Sequence, residues 1–584
     1  MRRAHTSTKE RVMCGFLADL NSEHSSDRLK SAGESIQHRG PDETVRLEAG
    51  SARFIFHRLA IMDLSERGRQ PLQTEDGSVT VVCNGELYNE PELRSSLVSR
   101  YSFRSTSDCE VLLPLYLAGG AQALTSRVEG EFAYVLYDQP QGQVVVARDP
   151  LGVRPLFFGV SPMGGLLFAS EAKALHQLCI ALRPFPPGSV YQGALPQREV
   201  RALSLVEAEA RADHFLAQIR PYHQPWIVAE QLSPSFDTLT REIRTRLTRA
   251  VARRLRADTP VGFLLSGGLD SSLVCAIASR LSDQPIKTFS IGIKDGPIDT
   301  YYAREVAEMI GSEHHEYLFT RAEMEAHLSE LIAQLETWDI TTVRASLGMS
   351  LLCRYIRENS DVKVLLTGEV SDELFGYKYT DFAPSPEAFQ EEAVKRIREL
   401  YVYDILRADR CISMHGLEAR VPFSDPDFVS YVMALDPALK VNSYGMGKHL
   451  LRQAFVADDL GRPYLPEHIL YREKAAFSDA VGHSMVDYLK ESASTRYSSH
   501  DLEVAQERFP HAPPFTAESL WYRSIFESHL SGRAELIPAF WMPNPDWEGC
   551  AVSDPSARVL TNYGASGSVL TSPQRSQNRS HESA

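Results

Sequence analysis

Residues Ser266-Gly267-Gly268-Leu269-Asp270-Ser271-Ser272 lie between an apolar run, Val261 to Leu265, and a stretch with helical periodicity. Paired glycines let the backbone approach an anion closely, and a helix that starts there aims its first amide N–H groups at it. Asp270 suits Mg2+, and the serine hydroxyls suit phosphate oxygens. No GxxxxGK[ST] occurs, so this loop is not built to grip a transferred γ-phosphate. Downstream, Leu365-Leu366 runs into Thr367-Gly368-Glu369-Val370-Ser371-Asp372-Glu373, a second joint between strand and loop, loaded with carboxylates. Asp270 and Asp372 together are expected to make an oxygen-rich Mg2+ site for a polyphosphate. The runs Thr288 to Ile293 and Val364 to Leu366 alternate with helical stretches, which implies a parallel α/β sheet. Ahead of them Phe236, Leu239, Ile243, Leu247, Val251 and Leu255 recur at the spacing of an amphipathic helix.

The chain has 584 residues, too many for a single core, so at least two domains are expected. Hydrophobic (43%) and charged (23%) fractions are those of a globular protein and exclude a fibrous or wholly disordered chain. A formal net charge of −15 argues against nucleic-acid binding, which needs a basic surplus. No apolar stretch reaches the roughly 20 residues that cross a bilayer, and Met1 to Val12 is no secretory signal. Eight scattered cysteines without a CxxC pair argue against zinc or a disulfide framework; a cytoplasmic location is expected.

The first third is rich in short strands: Phe54 to Phe56, Val79 to Cys83, Phe132 to Tyr137, Val144 to Ala147 and Leu166 to Ala169. It opens on Met13-Cys14-Gly15-Phe16. Methionine is removed ahead of a small residue, which would leave Cys14 with a free α-amine able to take the thiol proton. The segments His38-Arg39-Gly40-Pro41-Asp42, Arg58-Leu59-Ala60-Ile61-Met62-Asp63, Asn84-Gly85-Glu86-Leu87-Tyr88-Asn89, Ser107-Asp108-Cys109-Glu110 and Arg148-Asp149-Pro150-Leu151-Gly152 follow in order.

These five segments resemble class II glutamine amidotransferases, and Ser266 to Ser272 with Leu365 to Phe375 resembles the ATP pyrophosphatases. The two in series resemble the glutamine-hydrolysing asparagine synthetases, from Met13 to about Tyr563. Further matching pieces are Asp339 to Ser346, Arg407 to Arg410, His415 to Phe423, Gly447-Lys448-His449, Arg472 to Asp479 and Asp554 to Arg558. The resemblance implies an α+β N-terminal-nucleophile domain, an antiparallel sheet sandwich between helices, followed by an α/β domain with a parallel sheet. Cys14 would be the nucleophile, with Asn84 and Gly85 as oxyanion hole. Arg58 to Met62, Asn84, Gly85, Glu86 and Asp108 would hold glutamine. ATP would meet Leu264, Ser266, Gly267, Gly268, Asp270, Ser271, Ile291, Thr367 and Gly368. Arg344 with Thr341 or Thr342 would take aspartate, Glu369 would support adenylate formation, and Lys474 would neutralise the departing pyrophosphate. Ammonia would pass through a dry interior passage to the adenylate, and a homodimer is the family habit.

The expected division is residues 1–13 as an extension that is absent or removed, 14–205 as glutaminase, 206–233 as an irregular linker, 234–548 as synthetase, and 549–584 as a largely disordered tail. One departure concerns the acceptor: Val370 stands where the family usually has glycine, so either the loop path differs or the acid is not aspartate. Two rival readings are a related amide- or lactam-forming synthetase and a silent regulatory homologue. The presence of Cys14, Arg58, Asn84 and Asp108 speaks against the first, and that of Asp270, Glu369 and Lys474 against the second.

Overall fold

The computed structural model describes residues 14–195, 197–294, 299–442, 445–472 and 483–563. Met1 to Met13 and Lys474 lie outside the described residues. The first domain is two facing antiparallel sheets. One runs in the order 181–184, 157–160, 166–169, 15–20, 52–58, 43–49, and the other 220–221, 189–194, 143–148, 130–138, 79–87, 72–73. Period-two alternation builds the layers. Phe16, Ala18, Leu20, Ala133, Val135 and Tyr137 meet between the sheets. Leu17 faces the outer layer with Leu29 and Leu175, while Phe132, Tyr134 and Leu136 face the other with Leu93 and Leu112.

The second domain carries a five-stranded parallel sheet in the order 313–319, 287–293, 261–264, 364–366, 418–420. Helix Phe236–Arg254 buries Leu239, Ile243, Leu247 and Val251 against this core. Strand Val261–Leu264 ends in the Ser266 loop, and Gly268 caps helix Leu269–Leu281. Strand Val364–Leu366, its neighbour, ends in the carboxylate loop. A Cβ on Gly368 would stand 2.7 Å from the Ser271 nitrogen, so only glycine lets the two loops touch. Such a crevice at the carboxyl ends of adjacent parallel strands is where α/β sheets bind ligands.

Two segments differ from expectation. Residues 206–233 are not wholly irregular: helix Leu205–Leu216 starts with a Ser204–Glu207 capping box and buries Ala208, Ala212 and Phe215. Phe215 packs on Phe158 and Tyr191, so this helix belongs to the first domain. The C-terminal segment is packed as far as Tyr563, because Cys550 and Leu560 join Trp547 and Tyr379 in a small apolar cluster. Among the described residues no helix is long and apolar enough to cross a membrane.

Candidate active site

The first site forms where strand Gly15–Leu20 begins. Cys14 Sγ lies against the Leu59 backbone, 3.3 Å from the nitrogen that donates to it and 3.4 Å from the oxygen that accepts. Burial pushes the thiol up to about 12, so it needs a base to become a nucleophile. Arg58, Cys83 and Glu418 stand close enough to act on its charge. Arg39 donates to the Cys14 carbonyl at 3.1 Å and ties it to Glu171 at 2.7 Å and to Asp409 of the second domain at 2.8 Å.

Strand Val79–Leu87 delivers Asn84, Gly85 and Glu86. Among the described residues neither polar atom of the fully buried Asn84 side chain has a hydrogen-bond partner, the condition of a group kept for a ligand. Gly85 has φ +151, and a Cβ there would stand 2.1 Å from the Glu131 oxygen. Asp108 accepts from the Leu87 amide at 2.7 Å. Burial raises the Asp108 carboxyl to about 6, and burial with Asp108 raises Glu86 well above the usual carboxylate range. Arg420 faces Glu86 at 3.2 Å. Arg58 donates to the Asp63 carbonyl, and its loop is clamped by the second domain: Lys363 Nζ donates to the Ala60 carbonyl at 3.0 Å and the Asp258 backbone amide to the Ile61 carbonyl at 3.1 Å. Leu59 and Ile61 sink into the second domain's core, with Met62 packed against it.

The second site is a cavity of about 220 Å³ between the two loops. Leu264, Ser266, Gly268, Asp270, Ser271, Ile291, Thr341, Arg344, Thr367, Gly368, Glu369 and Asp372 line it. Gly267 stands behind, its carbonyl accepting from Arg472 at 3.1 Å. Thr342 is likewise turned away, because its hydroxyl and amide both donate to Asp339 at 2.8 Å and cap helix Ile340–Asn359. Of the paired threonines, Thr341 faces the cavity, its buried hydroxyl without a partner among the described residues.

Asp270 and Asp372 converge on one ammonium, Lys448 Nζ, at 2.8 and 2.7 Å. Carboxylate oxygens are the hard donors that Mg2+ takes, and here the Lys448 ammonium fills the point between them. Sequence reasoning missed Lys448, although Gly447-Lys448-His449 was visible as a motif; it also missed Arg407, which pairs with Glu369. Arg344 is not an open fork. Its Nε and Nη2 hold Glu518 at 2.8 and 2.6 Å, and its Nη1 and Nη2 hold Asp554 at 3.1 and 3.0 Å. Val370 keeps the glycine-like path at φ +79 with its side chain 1% exposed in the core, off the cavity lining. The extra bulk is therefore kept off the cavity wall.

A nucleophile domain of sandwiched sheets joined to a parallel-sheet nucleotide domain defines a glutamine amidotransferase coupled to an ATP-using synthetase. The glutamine amidotransferase domain family matches residues 13–185, and the asparagine synthase family matches 242–388 and 381–544. The asparagine synthetase [glutamine-hydrolyzing] of Bos taurus is 40% identical over 576 residues, covering 95% of this chain and 99% of that one. Its Mus musculus counterpart is 40% identical over 574 residues, covering 94% and 99%. Among solved structures, the glutamine phosphoribosylpyrophosphate amidotransferase of B. subtilis reaches a TM-score of 0.29 at 16% identity, over 53% of this chain and 81% of that one. The chain belongs to the glutamine-hydrolysing asparagine synthetase family.

Proposed function

We propose that this chain converts aspartate to asparagine with ATP as activator and glutamine as nitrogen donor. Cys14 attacks the glutamine amide, its own α-amine taking the thiol proton once no residue precedes it. Asn84 and the Gly85 N–H receive the developing oxyanion, while Glu86 and Asp108 hold the substrate ammonium. Arg58 pairs with the substrate carboxylate. The intermediate collapses to a thioester as the amide nitrogen takes the proton back from the α-amine and leaves as uncharged ammonia, and water then hydrolyses the thioester to glutamate and the free thiol.

In the second site ATP lies over Ser266 to Ser271 and Thr367-Gly368, between Leu264 and Ile291. Arg344 and Thr341 orient aspartate so that its β-carboxylate attacks the α-phosphorus, forming β-aspartyl-AMP and pyrophosphate, beside Glu369. Asp270 and Asp372 would hold Mg2+, which would supply charge neutralisation for the pyrophosphate. Lys448 adds positive charge there, a role the family resemblance also gives to Lys474. Ammonia attacks the acyl carbon, giving asparagine and AMP. Its route crosses the interface where Leu59, Ile61, Leu151 and Val153 join the second domain's core, an apolar seam that favours NH3 over ammonium.

The observation that carries this reading is the convergence of both loops, Glu369 and Arg344 on one cavity. Amide production measured with glutamine and with ammonium tests it. Cys14→Ala is expected to abolish the glutamine-driven reaction and spare the ammonium-driven one. The same selective loss is expected of protein whose intact mass includes residues 1–13, since an amide nitrogen cannot act as base. Equal loss of both reactions in Cys14→Ala overturns the assignment of the nucleophile.

A further inference from the structure

The stretch from Cys550 to Tyr563 returns across the nucleotide cavity as a strap. Its ends are pinned: Cys550 and Leu560 pack with Tyr379 and Trp547, and the Asn562 amide donates to the Lys378 carbonyl at 2.7 Å and to Asp381 at 3.0 Å. Between the pins, Pro555, Ser556 and Ala557 form one wall of the cavity. Asp554 lays both oxygens on one edge of Arg344, at 3.1 and 3.0 Å, and takes Lys490 at 2.7 Å. Glu518 already holds the other edge. A guanidinium presents two forked edges to carboxylates, so Arg344 has none to spare while Asp554 is in place.

The local charge is balanced, Arg344 and Lys490 against Glu518 and Asp554. A third carboxylate added to this group would meet net repulsion, whereas exchange of one carboxylate for another keeps the balance. The two are not equally held. Glu518 is buried on helix Ala517–His529 and receives the Tyr522 hydroxyl at 2.8 Å. Asp554 sits on irregular backbone, its side chain 14% exposed.

We propose that Asp554 occupies the place of the acceptor's α-carboxylate on Arg344, so that aspartate binds by displacing it and the strap sets the acceptor's affinity. This rests on Arg344 being the acceptor's carboxylate receptor. The test is the KM for aspartate with ammonium as nitrogen donor and saturating ATP, in wild type, Asp554→Asn, Asn562→Ala and Arg344→Lys. Asp554→Asn is expected to lower that KM about fivefold or more, because a neutral amide competes weakly for the fork. Asn562→Ala loosens a pin away from the cavity and is expected to lower it by less. The KM for ATP and the glutaminase rate stay unchanged in both. An unchanged or raised aspartate KM in Asp554→Asn, with a raised KM in Arg344→Lys, overturns the proposal. If Asp554→Asn fails to fold, Asn562→Ala decides by the same sign. A wild-type KM in Arg344→Lys instead removes the reading of Arg344 beneath it.

Discussion

Replacing Asp108 by asparagine is expected to stabilise the glutaminase domain while impairing it. Asp108 is 3% exposed, and burial, with Glu418 and Glu90 adding to it, lifts its carboxyl from the ordinary 3.8 to about 6 against the Leu87 hydrogen bond. A folded-state value above the unfolded one means that the folded chain binds the extra proton between those limits. The ionised group therefore costs stability at high pH, and the cost disappears as pH falls through the window. About two units corresponds to about 3 kcal/mol at pH 8, falling to about half that at pH 5. Asparagine can still accept from the Leu87 amide at the same place, and it carries no charge to desolvate. Denaturant titration at pH 8 and at pH 5, followed through the glutaminase-domain transition, measures both values. The expected result is Asp108→Asn more stable at pH 8, with an advantage that shrinks at pH 5, together with a raised KM for glutamine. A variant no more stable than wild type at pH 8, or a gain independent of pH, refutes the argument that Asp108 is held ionised at a folding cost to meet a substrate cation.

Two further substitutions separate the halves of the enzyme. Asn84→Ala removes a buried amide with no protein partner among the described residues, so the glutaminase kcat is expected to fall about 10²–10³-fold with little change in glutamine KM and none in ammonium-driven synthesis. Lys448→Gln withdraws the ammonium between Asp270 and Asp372, and the KM for ATP is expected to rise about tenfold or more while glutamine hydrolysis continues. A fall in glutaminase rate after Lys448→Gln would place that lysine in the fold of the whole chain instead of at the nucleotide.

What could be read from the sequence was local. The turn from Val261–Leu264 into helix Leu269–Leu281, the alternation of strand Gly15–Leu20 and the period of helix Phe236–Arg254 each depend on neighbours a few residues away. What could not be read was the pairing of distant charges. Lys448 meets Asp270 across 178 residues, and Arg344 meets Asp554 across 210. The C-terminal segment is expected to be a largely disordered tail, yet a few apolar anchors and the ion pairs of Asp554 and Arg558 hold it as far as Tyr563. Val370 illustrates the opposite case. Its β-branch opposes a positive φ, so the sequence points either to a changed path or to an acid other than aspartate. Burial of that side chain in the core helps offset the backbone strain, and the path remains.

The two sites share structural parts, and Arg420 shows how. Its guanidinium is fully buried, 3.2 Å from Glu86 in the proposed glutamine site and 2.9 Å from Glu418. Its carbonyl accepts from the Thr367 amide at 3.1 Å, at the edge of the nucleotide cavity. One residue of strand Glu418–Arg420 thus faces the first site with its side chain and braces the second with its backbone. The Arg58 loop is held the same way from the other direction, by Lys363 just before strand Val364–Leu366. Buried ion pairs are poor sources of net stability, since each charge is taken from water, but they are exacting about geometry. If the two sites act as proposed, such pairs set between them fix where ammonia is released relative to where the acid is activated. That fixed geometry is what a reaction dividing its nitrogen chemistry between two domains requires.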